Sequence, residues 1–248
     1  MIIIKSPEEI ELMRESGKVT KYILEELENF IKPGMSTKDV DRFVESTIRK
    51  HNMIPTFKGY GGFPASACVS INEEVVHGIP DKKRIIQEGD IVSVDVGSTH
   101  KGYVSDAART YGIGQISPVA QKIIEAAKAS FFAGLEYCKV GYRLSDISNA
   151  IQMKAEGEGF SVIRDFVGHG VGRAMHEDPQ IPNYGKPGRG PRIAAGMVFA
   201  IEPMICEGTY EVETLLNNWT VVTADGKLAA HYENTVVITD GEPQLLTL

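Results

Sequence analysis

The sequence predicts an α+β fold of two similar halves about a pseudo-twofold axis, with a central antiparallel sheet covered on one face by helices. Three observations carry that prediction. The stretch from Gly89 to Arg109, G-D-I-V-S-V-D-V-G-S-T-H-K-G-Y-V-S-D-A-A-R, reads as a hairpin: a strand from Ile91 to Val96, turn residues from Gly97 to Gly102, and a second strand from Tyr103 to Tyr111. A serine followed by proline opens a helical pattern at Ser6-Pro7 and again at Ser117-Pro118. Four landmarks then recur at one offset: Gly34 with Gly141, Asp39 with Asp146, Gly89 with Gly196 and Asp95 with Glu202, each 107 residues apart (141 − 34 and 202 − 95 alike). The run G-D-I-V-S-V-D is echoed by G-M-V-F-A-I-E, terminal carboxylate included, so residues 1–248 read as a single domain with halves of about 1–115 and 116–248.

Taken in order, Ser6 is a helix cap with Pro7 at the first helical position and Glu8 and Glu9 in the first turn. Ile10, Met13, Val19, Ile23, Leu27 and Phe30 follow at helical spacing, and Pro33-Gly34 stops that helix. Ser36 or Thr37 opens a second helix carrying Val40, Phe43, Val44 and Ile48. The segment from Asn52 to Gly78 reads as loop and short strand, punctuated by Gly59, Gly61, Gly62 and Pro64. Beyond the hairpin, the helix from Ser117 is expected to end at Val140-Gly141, and Ser145-Asp146 to open a fourth.

With 42% hydrophobic residues the chain has enough apolar material for a sizeable core. Its 26 basic and 33 acidic residues give a net charge of −7, which disfavours a broad footprint on nucleic acid or anionic membrane. The apolar run in M-I-I-I-K-S-P-E-E is too short for a signal peptide, and nothing approaches the ~18 apolar residues of a membrane span, so a cytoplasmic protein is expected. Cys68, Cys138 and Cys206 are widely spaced without a C-x-x-C pattern, which reads as reduced thiols rather than a disulfide framework or a cysteine zinc site.

The chemistry centres on acids within apolar strands. With the turn centred near His100 and Lys101, Asp95 and Asp106 are expected about opposite one another, Cβ atoms roughly 5 Å apart, where like charges destabilise a sheet. A shared proton or a bound cation must compensate. The second half adds His169 in G-H-G-V-G, whose flanking glycines leave the backbone open to close approach of a ligand, then His176 in H-E-D-P, Glu202 at the end of V-F-A-I, and Glu233 in A-A-H-Y-E-N-T-V-V-I. Asp95, Asp106, His169, Glu202 and Glu233 all interrupt or end apolar strands, where unpaired charge is costly. Four carboxylates and one imidazole without thiolate match a pair of carboxylate-bridged divalent cations about 3.5 to 4 Å apart, as in dinuclear hydrolases, with manganese, iron, cobalt and zinc all open.

The strings N-E-E-V-V-H-G-I-P around His77, D-V-G with S-D-A-A-R-T around Asp95 and Asp106, G-H-G-V-G with H-E-D-P, I-E-P-M, and H-Y-E-N-T occur here in that order. Along nearly its whole length the chain resembles the type I methionine aminopeptidases, of the pita-bread metallopeptidase fold. The resemblance implies that Asp95, Asp106, His169, Glu202 and Glu233 ligate two metal ions, Asp95 and Glu233 in bidentate fashion, and that His77 and His176 contact substrate. Catalysis then falls to metal-activated water, with Glu202 passing a proton to the leaving amine, His176 donating to the oxyanion, and His77 holding the second residue's peptide nitrogen. By the same resemblance Tyr60, Phe63, Cys68, His77 and Trp219 form the methionine pocket, with Phe57 and Met175 at positions where other family members carry other residues.

The substrates so implied are peptides and nascent chains beginning with methionine, and the enzyme is expected to act as a monomer. Proline-specific peptidases of this fold share the ligands but carry a whole preceding domain, whereas here the catalytic repeat begins within the first ten residues. Non-catalytic relatives act as binding proteins after losing ligands, and all five are present. A ribosome-facing surface has two candidates, Lys82-Lys83-Arg84 and the loop with Lys186, Arg189 and Arg192. The absence of an N-terminal docking extension fits the short bacterial form.

Overall fold

The computed structural model describes residues 1–248. The first half comprises α1 (Pro7–Phe30), α2 (Thr37–Lys50), β1 (Ile54–Pro55), β2 (Ala67–Ile71), β3 (Glu74–Val76), β4 (Ile91–His100) and β5 (Tyr103–Gly112), with a single 3₁₀ turn at Tyr60–Gly62. The second comprises α3 (Pro118–Leu135), α4 (Leu144–Gly157), β6 (Ser161–Val162), β7 (Gly168–Gly170), β8 (Glu177–Ile181), β9 (Val198–Ile201), β10 (Met204–Cys206), β11 (Val212–Thr214), β12 (Val221–Thr223), β13 (Ala229–His231), β14 (Asn234–Val237) and β15 (Gln244–Leu245). All pairings are antiparallel.

The strands form separate ladders. One holds β1, β4, β2 and β5, another β15-β14-β9-β7-β8, and two smaller ones β13-β10-β6 and β11-β12-β3. The seam between the two halves is closed by side chains as well as backbone. Glu233 N donates to Ala108 O at 3.0 Å. Thr235 Oγ1 accepts from Asp106 N at 2.9 Å and donates to Asp106 O at 2.8 Å. Reciprocally, Thr110 Oγ1 accepts from His231 N and donates to His231 O, both at 2.9 Å.

Both halves repeat the same local structure at the 107-residue offset. Gly34, Gly141, Gly89 and Gly196 have φ of 89°, 103°, 90° and 85°, a region that favours glycine. Asp39 Oδ2 accepts from Ser36 N at 3.0 Å, and Asp146 Oδ2 from Arg143 N at 2.8 Å. Thr37 N donates to Arg84 O at 2.9 Å, and Leu144 N to Pro191 O at 3.0 Å. Helix α4 is therefore capped at Arg143, two residues before the expected Ser145. Its start is set by Asp146 reaching back to a backbone N–H, as Asp39 does, while the Ser145 hydroxyl donates to Arg189 O at 3.0 Å.

Two other ends also differ from expectation. Helix α1 stops at Phe30, with Ile31 already extended at ψ 125°, two residues before the Pro33-Gly34 pair. Helix α3 stops at Leu135, before Val140-Gly141.

The hairpin corrects a more consequential point. Its strands extend to His100 and from Tyr103, leaving Lys101 and Gly102 as a two-residue turn with φ of 48° and 83°. In that register Asp95 pairs with Ala108 and Asp106 with Gly97. The two carboxylates are thus diagonal neighbours on one face rather than directly opposite.

Helices back each half. Val19, Ile23 and Leu27 of α1 and Val40, Val44 and Ile48 of α2 bury against Val69, Val92, Val94 and Val96. Ile123 and Phe131 of α3 and Ile147 and Ile151 of α4 bury against Phe199, Ile201, Ile205 and Val236. This leaves the opposite face of the strands, carrying the acids, turned toward a cavity.

Candidate metal centre

Five strand positions converge at that cavity. Asp95 projects from β4 and Asp106 from β5, His169 is the middle residue of β7, Glu202 follows β9 directly, and Glu233 stands between β13 and β14. The cavity has a volume of about 210 Å³ and all five line it. His169 Nε2 is 3.5 Å from Asp106 Oδ2 and 3.5 Å from Glu202 Oε1. Its Nδ1 faces Gly170 O at 2.8 Å, and a carbonyl only accepts, so the proton is on Nδ1. The Nε2 lone pair then points at carboxylate oxygens, an arrangement that holds a cation and repels otherwise.

The glycines beside His169 have a different reason from the one the sequence indicates. A Cβ on Gly168 would lie 2.5 Å from Ala200 O, and one on Gly170 2.1 Å from Asp178 O. They let β7 lie between its two neighbouring strands; close approach of a ligand is not what requires them.

Burial dominates the electrostatics. It pushes the carboxyls of Asp95, Glu202 and Glu233 up, with neighbouring acids pushing them further, and raises Asp106 to about 7. Burial also lowers His169, brings His77 and His176 down to about 4, and His231 to about 3. No lysine or arginine forms an ion pair with any of the four acids. The nearby Arg109 spends its donors on the carbonyls of Ala108, Glu233 and Thr247 and on Asn234 Oδ1. Asp95 Oδ1, Asp106 Oδ1 and Glu233 Oε1 are buried with no hydrogen-bond partner. Such a set of buried, unpartnered oxygens with a bare imidazole nitrogen fits divalent metal ions.

The remaining predicted residues line the same cavity. His176 Nδ1 lies 2.8 Å from the Tyr60 hydroxyl, and the His176 ring packs edge-on to His169 at 4.3 Å. His77, at φ 59°, stands between Phe166 and Trp219, with ring centroids 5.6 and 6.2 Å away. Phe63 meets Trp219 edge-on at 5.1 Å, and Cys68 sits opposite Asp95 in the β2/β4 ladder, its thiol pushed up by burial. Phe57 and Met175 line the cavity too, Phe57 filling the space a Gly97 Cβ would need, 2.6 Å from its ring.

Two neighbours were missed. Phe166, from a loop with no clear periodicity, packs on His77. His231 lies 3.5 Å from Glu202 Oε2 and 3.8 Å from Glu233 Oε2. The alternation His231-Tyr232-Glu233, which turns both polar side chains to one face, was the available signal.

Comparison with known proteins gives the setting. Residues 11–240 match metallopeptidase family M24. Methionine aminopeptidase of Clostridium acetobutylicum is 59% identical over 100% of this chain and 99% of its own, and methionine aminopeptidase 1 of Bacillus subtilis is 52% identical over 100% and 99%. The solved methionine aminopeptidase of Thermotoga maritima superposes with a TM-score of 0.98 at 46% identity, covering 100% of this chain and 99% of that one. The prolidase of Pyrococcus furiosus, at 23% identity and a TM-score of 0.79 over 99% of this chain and 65% of its own, shares the pita-bread fold. With buried carboxylates and an imidazole gathered on the strands of that fold, and with identities of this order over its full length, the chain belongs to metallopeptidase family M24, among the methionine aminopeptidases.

Proposed function

We propose that the protein is a metal-dependent methionyl aminopeptidase that removes the initiator methionine from nascent proteins and peptides whose second residue is small. The observation carrying this reading is the junction, in one cavity, of an apolar pocket bounded by Tyr60, Phe63, Cys68 and Trp219 with the acids Asp95, Asp106, Glu202 and Glu233. An unbranched thioether fits the pocket while the α-amine and first carbonyl reach the acids.

Asp95, Asp106, His169, Glu202 and Glu233 hold two divalent ions, whose charge balances four carboxylates; manganese, iron, cobalt and zinc all suit this donor set. When bound, the ions polarise the scissile carbonyl and make water acidic enough to attack near neutral pH. The chain's own residues do the rest. The Tyr60 hydroxyl lies 2.8 Å from His176 Nδ1; with the hydroxyl as hydrogen-bond donor, Nε2 carries the hydrogen that reaches the developing oxyanion. Glu202, a carboxylate at the edge of the donor set, takes the proton of the attacking water and returns it to the leaving amine. His77, neutral at pH 7 and fixed between Phe166 and Trp219, holds the second residue's peptide nitrogen.

Residues 1–248 act as one catalytic domain, and as a monomer, because both halves of one chain supply the donors. A cytoplasmic location agrees with the absence of any helix long and apolar enough to cross a membrane. Lys82, Lys83 and Arg84 and the loop with Lys186, Arg189 and Arg192 are exposed, which leaves both basic loops free to meet the ribosome near its exit tunnel.

Hydrolysis of Met-Ala-Ser against Ala-Pro peptides by the metal-reconstituted protein tests the reading. Release of methionine from the first with the second intact is expected; cleavage of Ala-Pro alone rejects it.

A further inference from the structure

One buried imidazole beside the acids has no part in this reading. His231 ends β13 two residues before Glu233, so strand alternation brings both side chains to the same face. Tyr232 between them turns the other way, against Phe131 at 5.4 Å and beneath the Arg109 guanidinium at 4.3 Å. His231 is 1% exposed, and its Nε2 has no hydrogen-bond partner. That nitrogen lies 3.5 Å from Glu202 Oε2 and 3.8 Å from Glu233 Oε2. Both separations exceed hydrogen-bonding distance, about 2.7–3.2 Å, yet suit two atoms bound to one cation by bonds of about 2.0–2.2 Å.

The opposite side of Glu202 has the same arrangement. His169 Nε2 is 3.5 Å from Glu202 Oε1, so each oxygen of this carboxylate faces one imidazole at one distance. Donor atoms lying within 4.8 Å of one another fall into two sets, Asp95 with His231 and Glu233, and Asp106 with His169 and Glu233. Each set has one aspartate and one imidazole, and Glu233 is common to both.

We propose that His231 is a sixth metal ligand, the nitrogen donor of a cation position formed with Asp95 and Glu233. The inference rests on the metal reading above and adds a donor to it. His231 does not line the open cavity, so it meets a cation seated among the acids rather than substrate, unlike His77 and His176. An imidazole in each position disfavours the hard ions magnesium and calcium and favours cobalt, iron and zinc throughout the site.

X-ray absorption at the cobalt edge of the cobalt-loaded protein counts imidazoles directly. Two per protein molecule are expected in the natural protein, falling to one in His231→Gln, which keeps a polar side chain of similar reach. Calorimetric titration of cobalt should show one binding event weakened about 10-fold or more in that variant, with the other unchanged. A single imidazole in the natural protein, or the same count in His231→Gln, overturns the proposal and leaves His231 behind the ligands. The count in the natural protein decides even if the variant fails to fold. Absence of bound cobalt in the natural protein would instead remove the metal reading, and the inference with it.

Discussion

Tyr60 and His176 meet through the phenol oxygen and Nδ1 at 2.8 Å, joining a turn of the first half to a residue of the second in the wall of the cavity that the acids also line. With the phenol as donor, the contact leaves the proton of the histidine on Nε2, the tautomer proposed for catalysis. Loss of the His176 ring should therefore act on the transition state: His176→Ala is expected to lower kcat on the order of 10²-fold or more with metal content unchanged. Tyr60→Phe leaves the ring but not its orientation and should lower kcat about 10-fold. Metal lost from His176→Ala, measured by elemental analysis, would make this histidine a ligand and the assignment wrong.

The unpartnered oxygens of Asp95, Asp106 and Glu233 imply that chelation abolishes peptidase activity and that manganese, cobalt or iron(II) restores it. Asp106→Asn and Glu233→Gln each remove a charge from the donor set and should lower metal affinity together with rate. Full turnover by a verified metal-free preparation contradicts this account.

Chelation should also reverse the usual dependence of stability on pH. The folded chain holds these carboxyls above their unfolded values, Asp106 at about 7, so between about pH 4 and pH 7 it binds more protons than the unfolded chain. Stability from these groups is present below the unfolded values and lost as pH rises, by on the order of 1.4 kcal/mol per pH unit for each proton. The histidines lowered by burial, His77, His169, His176 and His231, work the other way below about pH 6.5, so the melting temperature of the chelated protein should fall from pH 6.5 to pH 7.5, and added metal should raise it most at the upper end. A chelated protein that melts higher at pH 7.5 than at pH 6.5 contradicts the uncompensated acids.

Selection at the second residue has a steric basis. On the proposed reading, His77, held between Phe166 and Trp219, would bound the space beyond the scissile carbonyl, and a β-branched side chain there is stiff. The chain's own opening, Met-Ile-Ile-Ile, should be a poor peptide substrate, and Met-Ala-Ile-Ile a good one. A displacement of about 1 Å from attack geometry costs roughly 10²-fold, which sets the expected ratio of kcat/KM. Equal rates on the two peptides would refute the exclusion.

Gly170 offers a test away from the acids. A Cβ there lies 2.1 Å from Asp178 O, so Gly170→Ala must part β7 from β8 and move His169. A loss of about 1–3 kcal/mol of stability is expected, with weaker cobalt binding. An unchanged denaturation midpoint would show that the strands need no such clearance.

What the sequence made legible, and what it hid, follows from the range of each interaction. The offset of 107 residues was readable because turns at Gly34, Gly141, Gly89 and Gly196 demand a left-handed backbone, a local requirement that glycine advertises. The hairpin register was not. Lys101 adopts φ 48° without a turn-forming side chain, so the turn centre is shifted and Asp106 pairs with Gly97. Arg143 at the start of α4 lacks a cap oxygen, and Asp146 supplies the matching bond from three residues on. His231 was hidden because its partners, Glu202 and Glu233, combine a residue two positions on with one 29 positions away (231 − 202).

Thr110 and Thr235 give the seam a further consequence. Each hydroxyl both donates to and accepts from the backbone it faces, so the two halves dock without leaving an edge for another strand to occupy. Docking is also the event that brings Asp95 and Asp106 to His169, Glu202 and Glu233. An ion held by donors from both halves would therefore also tie the halves together, so that chelation should loosen the seam along with the site.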